Sequence, residues 1–138
     1  MRTAFLITAI FIFGLSGCNR RHSNASGNLS SDTGKAVLVF TEYEHHFGKV
    51  AEGEKISWQF LYANKGTGPL VINSVSTTCG CTVPKYNTKP VKPGENGSIE
   101  VIFDTSGRKG MQTKTITVNS NASVPVILLK ITAEVQNE

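Results

Sequence analysis

Apolar and polar residues alternate along most of the chain after residue 36. In the run KISWQFLYAN, residues 55–64, alternate positions are apolar and the positions between them include Ser57 and Gln59. A period of two with β-branched and aromatic side chains predicts a strand with one buried face. The positions expected to face inward are Ile56, Trp58, Phe60 and Tyr62 here, then Ile99, Val101 and Phe103, Ile116 and Val118, and finally Ile127, Leu129, Ile131, Ala133 and Val135.

The alternation changes phase once within a single run. In LVINSVSTTCGCTV, residues 70–83, the apolar positions are even-numbered at first and odd-numbered from Val75 onwards. A change of phase inside a strand predicts a β-bulge or a bend, here near Asn73 and Ser74. Cys79 and Cys81 continue the odd-numbered set, so they are expected on one face of one strand.

Two earlier apolar runs, AVLVF and HHFGKV, bring the total to about seven short strands, separated by turn signals such as Pro93-Gly94. No helical periodicity of useful length accompanies them. The pattern predicts an all-β fold, a single immunoglobulin-like antiparallel β-sandwich over residues 36–138. Trp58 is expected between the sheets. The cross-sheet disulfide of immunoglobulin domains is not expected, because Cys79 and Cys81 are neighbours.

The first residues predict export. Arg2 precedes an apolar run at residues 4–15, which suits a signal peptide and is too short to span a bilayer at roughly 20 residues. The residues that follow, LSGC, resemble the bacterial lipoprotein signal, which implies a signal peptide over residues 1–17 and a lipidated Cys18. An ordinary secretory signal with an accidental cysteine is the alternative. Several acyl chains on Cys18 would anchor the protein stably to a membrane.

Residues 18–35 are expected to form a flexible linker, because residues 19–35 are rich in Ser, Asn and Gly and cannot form a core. An aspartate directly after the lipidated cysteine would favour retention at the inner membrane. The residue at this position is Asn19, so we expect the outer membrane, on its periplasmic side. The net charge of +4 is scattered without a long basic run. Nucleic acid is therefore not an expected partner of this exported chain.

Several motifs in the folded part resemble one family. They are FGKV at 47–50, F-x-Y-x-N-K-G-x-x-P-L-x-I at 60–72, TTCGCT at 77–82, PVKPGENGSIEVIFD at 90–104, G-x-x-x-K-T-I-T-V-N-S-N at 110–121 and LLKITAEV at 128–135. The chain resembles a bacterial family of exported proteins with a CGC motif, classed as a domain of unknown function. That family is grouped with immunoglobulin-like domains of the Hydin and major-sperm-protein type. The resemblance implies a sandwich and no particular activity; related sandwiches mostly bind proteins or take part in assembly.

The cysteine pair is the constellation with most chemical promise. In an oxidising compartment, Cys79 and Cys81 are candidates for a structural disulfide or two half-buried thiols, for a redox couple, for a Cu(I) or Zn(II) site, or for a disulfide to a partner. We favour the structural role, because no helix follows to activate a thiolate. An extended strand would strain a bond between them, and Gly80 is expected to relieve this by adopting backbone angles that other residues avoid.

His45 and His46 are weak additional metal candidates. Adjacent strand residues point to opposite faces, so the two rings are not expected to form one pincer. No hydrolase motif and no phosphate-binding loop accompany them, so no enzyme activity and no cofactor are expected. The sequence therefore predicts a lipid-anchored envelope protein that binds an unidentified protein or assists assembly. The alternative is a thiol-redox or metal-binding protein that uses Cys79 and Cys81.

Overall fold

The computed structural model describes residues 34–80 and 82–136. The predicted signal peptide, Cys18 and most of the predicted linker lie outside these residues, as does Cys81. Within the described part, the chain contains no helix long and apolar enough to cross a membrane.

In residues 34–80 and 82–136, eight strands form two four-stranded sheets, which confirms the predicted all-β sandwich with one strand more than expected. The first sheet has the order β1-β3-β6-β5, and the second has the order β2-β8-β7-β4. The strands are β1 (Leu38–Phe40), β2 (Glu44–Ala51), β3 (Lys55–Asn64), β4 (Ile72–Thr77), β5 (Thr82–Tyr86), β6 (Asn96–Asp104), β7 (Gly110–Ser120) and β8 (Val126–Gln136).

The core lies between the sheets and is built from the residues that the alternation predicts to face inward. Phe60 and Tyr62 from β3 and Phe103 from β6 belong to this core, and all three side chains are almost fully buried. Burying each apolar side chain of this size contributes roughly 1.5–3 kcal/mol, so the repeated period of two stabilises the fold directly. Trp58 lies on the inward face of β3, as expected, and packs against this core, but its side chain is only half-buried.

The predicted bulge is confirmed, and one strand pairing differs from expectation. The register of β4 against β7 shifts between Ile72 and Ser74. β2 pairs with β8 in parallel, whereas the other pairs are antiparallel. The parallel pair arises because the chain crosses from the edge of the first sheet, at β1, to the edge of the second, at β2.

The sandwich has two distinct ends. The "tether end", where the chain enters at Gly34, consists of residues 34–37, 65–71, 87–95 and 121–125. The "far end" contains the turns at 52–54, 78–80 and 105–109. β3 spans 10 residues between the two ends, a length of about 30 Å at roughly 3.3 Å per residue.

The chain packs tightly against the sandwich as soon as the described part begins. A Cβ atom on Gly34, Gly66 or Gly68 would collide with backbone atoms of the facing segment. The Thr67 N–H donates a 3.0 Å hydrogen bond to the Lys35 carbonyl. Gly34 and Lys35, which the sequence places in the linker, therefore already contact the folded domain.

Candidate functional site

The described part of the CGC motif, Cys79 and Gly80, lies in the connection between the two sheets. β4 ends at Thr77, and the chain bends through Cys79 and Gly80 before β5 begins at Thr82. The Thr82 N–H donates to the Cys79 carbonyl at 3.3 Å. The Thr77 hydroxyl lies 2.9 Å from the carbonyl oxygens of both Cys79 and Thr82. The expectation that Cys79 lies on a strand is therefore wrong, and the extended i to i+2 spacing does not apply to it.

Cys79 is half-buried and disulfide-bonded, and its partner lies outside the described residues. Its sulfur lies 3.7 Å from the Thr82 hydroxyl. The hydroxyl is the donor, because a disulfide sulfur carries no hydrogen. Gly80 is exposed, has no positive φ angle, and has open space where a Cβ atom would lie. Gly80 therefore does not adopt the positive φ angle that other residues avoid.

Two cations lie between the sheets near this turn. Lys114 on β7 faces inward, because it shares the inward phase of Ile116. Its Nζ lies 5.4 Å from the centre of the Phe103 ring and donates to the Gln112 side chain at 3.1 Å. Partial burial, and secondly the nearby charge of Arg108, lower the pKa of Lys114. In the described part of the chain, the buried Nε of Arg108 has no hydrogen-bond partner.

The register places Lys114 close to the end of β4. Thr77 pairs with Ile116, and the Thr78 N–H donates to the Thr115 carbonyl at 3.2 Å. The pairing ends there, because the chain bends at residues 78–80. Lys114, the next inward residue of β7, is therefore a cation on the core side near the segment that leads to Cys79, which the sequence reasoning missed. The signal was available, since the alternation of β7 puts position 114 on the core side.

His45 and His46 point to opposite faces of β2, as expected. His45 stacks on Trp58 with ring centroids 3.5 Å apart and planes 8° apart. Trp58 donates its indole N–H to the Glu42 carboxylate. Partial burial lowers the pKa of His45, Glu42 opposes this shift, and His46 adds to it. His46 is exposed and bonds to the Thr132 hydroxyl.

The structure does not bring the histidines to Cys79. β2 and β4 are the opposite edges of one sheet, separated by β8 and β7. Three strand spacings of roughly 4.8 Å put about 14 Å between those edges. Among residues 34–80 and 82–136, no three His, Cys, Asp or Glu side chains come together in a group suited to a metal ion.

Two surface grooves accompany these features. The larger, of about 570 Å³, lies on the solvent face of the first sheet and is lined by residues that include Gln59, Tyr86 and Gly97. Lys85 and Glu100 form a 3.6 Å ion pair at its side. A smaller groove of about 150 Å³ lies at the bulge of β2. Both are open to solvent, so neither provides the enclosed apolar pocket typical of a small-molecule site.

Asn64 is a second residue that sequence reasoning missed. Its buried side-chain amide donates to the carbonyls of Gly68 and Val91 at 2.8 and 2.9 Å. Its side-chain oxygen accepts from the Val37 and Gly66 N–H groups at 3.3 and 3.0 Å. Asn64 thereby fixes the tether end. In the sequence it looks like an ordinary turn residue before Lys65 and Gly66.

The family described as "Protein of unknown function (DUF1573)" matches residues 38–135, which include the described strands of the sandwich except the last residue of β8. No curated protein matches the chain significantly.

Solved structures support the fold alone, because their sequence identities are low. A protein of unknown function from Porphyromonas gingivalis W83 is 21% identical over 80% of this chain and 51% of its own, with a TM-score of 0.65. This chain thus spans about half the length of that relative. The PapD-like domain 7 of human CEP192 is 9% identical over 75% of this chain and 88% of its own, with a TM-score of 0.62. The Vibrio cholerae VesB protease is 15% identical over 70% of this chain and 31% of its own, with a TM-score of 0.59.

Proposed function

Because the chain belongs to the DUF1573 family, whose function its description leaves open, we propose that it is a lipid-anchored envelope protein whose sandwich binds another protein through the open edge of β4. The anchor rests on the sequence: an apolar run at residues 4–15 ends in LSGC, so Cys18 is the expected site of acylation. The expected location is the outer membrane, facing the periplasm.

The observation that carries the binding role is the composition of β4 at the edge of its sheet. β4 pairs with β7 on one side, and no other described strand pairs with it. Because the Thr78 N–H points to β7, the alternate N–H groups of Val75 and Thr77 point away from it. An edge with free N–H and carbonyl groups can accept a strand from another protein.

The other edges carry features that discourage pairing, and β4 carries fewer of them. β1 has only 3 residues, β2 contains charged residues and a bulge at Gly48, and β5 contains Pro84 and Lys85. Charges, proline, bulges and short length are the usual protections of an edge. β4 reads INSVST, with neither charge nor proline, and has only its bulge near Asn73. The expected partner segment is an extended, uncharged stretch of chain.

The test compares two lysine substitutions on the same face of the same sheet. Ser76→Lys places a charge on edge strand β4, whereas Thr113→Lys places the same charge on the interior strand β7; both positions are exposed. We expect Ser76→Lys to abolish cross-linking to a reproducible partner from native membranes, and Thr113→Lys to leave it intact. Equal capture by both variants and the unmodified chain contradicts binding at β4.

A thiol function is the second candidate, and the Cys79 disulfide favours it, in a connection that follows β4 near the inward-facing Lys114 of β7. Nearby cations lower the pKa of a thiol and make its thiolate more available. In an exchange, one thiolate of a partner dithiol attacks the Cys79 disulfide and forms a mixed disulfide. The partner's second thiol then displaces the remaining cysteine, so that two cysteines are reduced and the partner is oxidised. The reduced thiols are also soft ligands for Cu(I) or Zn(II).

The alkylation rate of the reduced protein as a function of pH tests this candidate. We expect the midpoint for Cys79 to lie below about 8.5, the ordinary thiol value. Lys114→Met should raise that midpoint, because it removes the cation and keeps the apolar stem. A midpoint at the ordinary value that Lys114→Met does not move would count against the thiol function.

A further inference from the structure

The tether end carries a net positive charge that the far end lacks. Its connecting segments contain Lys35, Lys65, Lys89 and Lys92, all exposed, against one acidic residue, Glu95. The sum is four positive charges and one negative charge, or +3. In the turns at 52–54, 78–80 and 105–109, two acidic residues balance two basic ones.

Within the described part of the chain, these four lysines also differ from three lysines on the strands in having no ion pair. Lys55, Lys85 and Lys130 each lie within 3.6 Å of a carboxylate oxygen. Within the described residues, no ion pair involves any of the four lysines at the tether end. Their charge is therefore available to an external anionic surface.

An exposed apolar residue lies beside the entry of the chain at the same end. Val124 is 61% exposed, in the β7–β8 connection. Its neighbour Ser123 donates its N–H to the Ala36 carbonyl at 2.9 Å, which holds this connection against the first described segment. Residues 19–33, which join this segment to Cys18, contain Arg20 and Arg21.

We propose that the tether end is a membrane-facing surface that binds anionic phospholipid headgroups through Lys35, Lys65, Lys89 and Lys92, with Val124 at the lipid boundary. Basic residues with an exposed apolar side chain are the combination that an anionic bilayer surface attracts. The orientation rests on the proposed anchor at Cys18, because the anchored segment enters the sandwich at this end. The CGC turn then points away from the bilayer, and β4 runs outward from it.

The test is lysine footprinting of the full-length protein on vesicles, with acylation of each lysine read by mass spectrometry. At 0.1 M salt the electrostatic effect of a charged surface extends about 10 Å, so only lysines within that distance of the vesicle should change their reaction rate. On vesicles with phosphatidylserine or phosphatidylglycerol, we expect the four lysines to react about fivefold more slowly than on phosphatidylcholine vesicles. Lys55, Lys109 and Lys130 serve as controls in the same molecule and should be unchanged.

Two variants make the comparison specific. Lys65→Gln combined with Lys92→Gln should remove the protection of Lys35 and Lys89. Anionic lipid is expected to increase the vesicle affinity of the unmodified protein, and the double variant should reduce this increase by about 25-fold. Lys55→Gln with Lys109→Gln removes the same charge elsewhere and should change neither. Protection that is equal on anionic and neutral vesicles, or that both double variants lose alike, overturns the proposal. Failure to bind neutral vesicles would instead show that the anchor at Cys18 is wrong.

Discussion

His45 lies flat on Trp58, with ring centroids 3.5 Å apart and planes 8° apart. Glu42 accepts the indole N–H from the other side of the same cluster. The contact joins β2 of one sheet to β3 of the other, so it closes the side of the sandwich where the chain crosses between sheets.

Stability should decrease as the pH falls through about 6.5, the ordinary pKa of histidine. Burial lowers the pKa of His45 in the folded protein from its ordinary value of 6.5, so the unfolded chain binds more protons just below that pH. Stability then falls with pH until the folded pKa is passed. Chemical denaturation between pH 8 and 5 measures this, and fluorescence of the single tryptophan reports the local change.

The control is His45→Phe, which keeps an aromatic ring on Trp58 and cannot titrate. It should remove the decrease in stability between pH 7 and 5.5, whereas His46→Gln should keep most of it. If His45→Phe shows the same pH dependence as the unmodified chain, other groups cause it.

Asn64→Ala should destabilise the domain by roughly 2–4 kcal/mol. The substitution leaves the Gly68 carbonyl without its donor and the Val37 and Gly66 N–H groups without their acceptor, whereas the Val91 carbonyl keeps the Leu70 N–H. Each unsatisfied buried group costs roughly 1–3 kcal/mol. Asn119→Ala is the matched control, because its amide donates to Ser74 at an exposed site. Urea denaturation should show a change below about 1 kcal/mol for Asn119→Ala. Equal losses would mean that burial of the network is not what stabilises the tether end.

Gly68→Ala and Gly80→Ala should differ sharply. A Cβ atom on Gly68 would collide with the Gly34 carbonyl, so the first described segment must move away. Hydrogen exchange should then increase at residues 34–37 and the thermal midpoint should drop. Gly80 has open space and no positive φ, so alanine should leave the turn and its disulfide unchanged. An unfolded Gly80→Ala variant would contradict the description of this turn.

The strands were predictable because each sheet has a core-facing side and a solvent side. The bulge near Asn73 followed from the same rule, since it marks a change in which side chains face the core. The parallel pairing of β2 with β8 was not predictable, because alternation says which face is buried and nothing about which strand lies beside it. The position of Cys79 was missed because a turn after Thr77 leaves no mark in the alternation.

Polar residues in the interior were the other gap. Asn64 and Lys114 have side chains that single-sequence reasoning assigns to turns and surfaces. The alternation puts both positions on the core side, but the partners that hold them there, such as Val91 and Phe103, become visible only in the folded chain. The surroundings of the candidate site are thus set by the pairing of distant segments more than by the CGC motif.

Intact-mass analysis of protein released from native membranes should show acylation at Cys18 and the loss of two hydrogens for one disulfide. Both follow if the expected signal is cleaved before Cys18 and Cys79 pairs with Cys81 in the oxidising envelope. A mature chain without acyl groups would contradict the proposed lipid anchor at Cys18. A disulfide-linked partner would assign Cys79 to an intermolecular bond.

Site-specific photo-cross-linking in living cells tests the central claim, binding at the β4 edge, most directly. A photoreactive residue at Ser76 lies beside the open edge, while one at Thr113 lies on the interior strand β7 with similar exposure. We expect one discrete cross-linked protein from position 76 and none from position 113. The same product from both positions, or a product from position 113 alone, would contradict binding at the β4 edge.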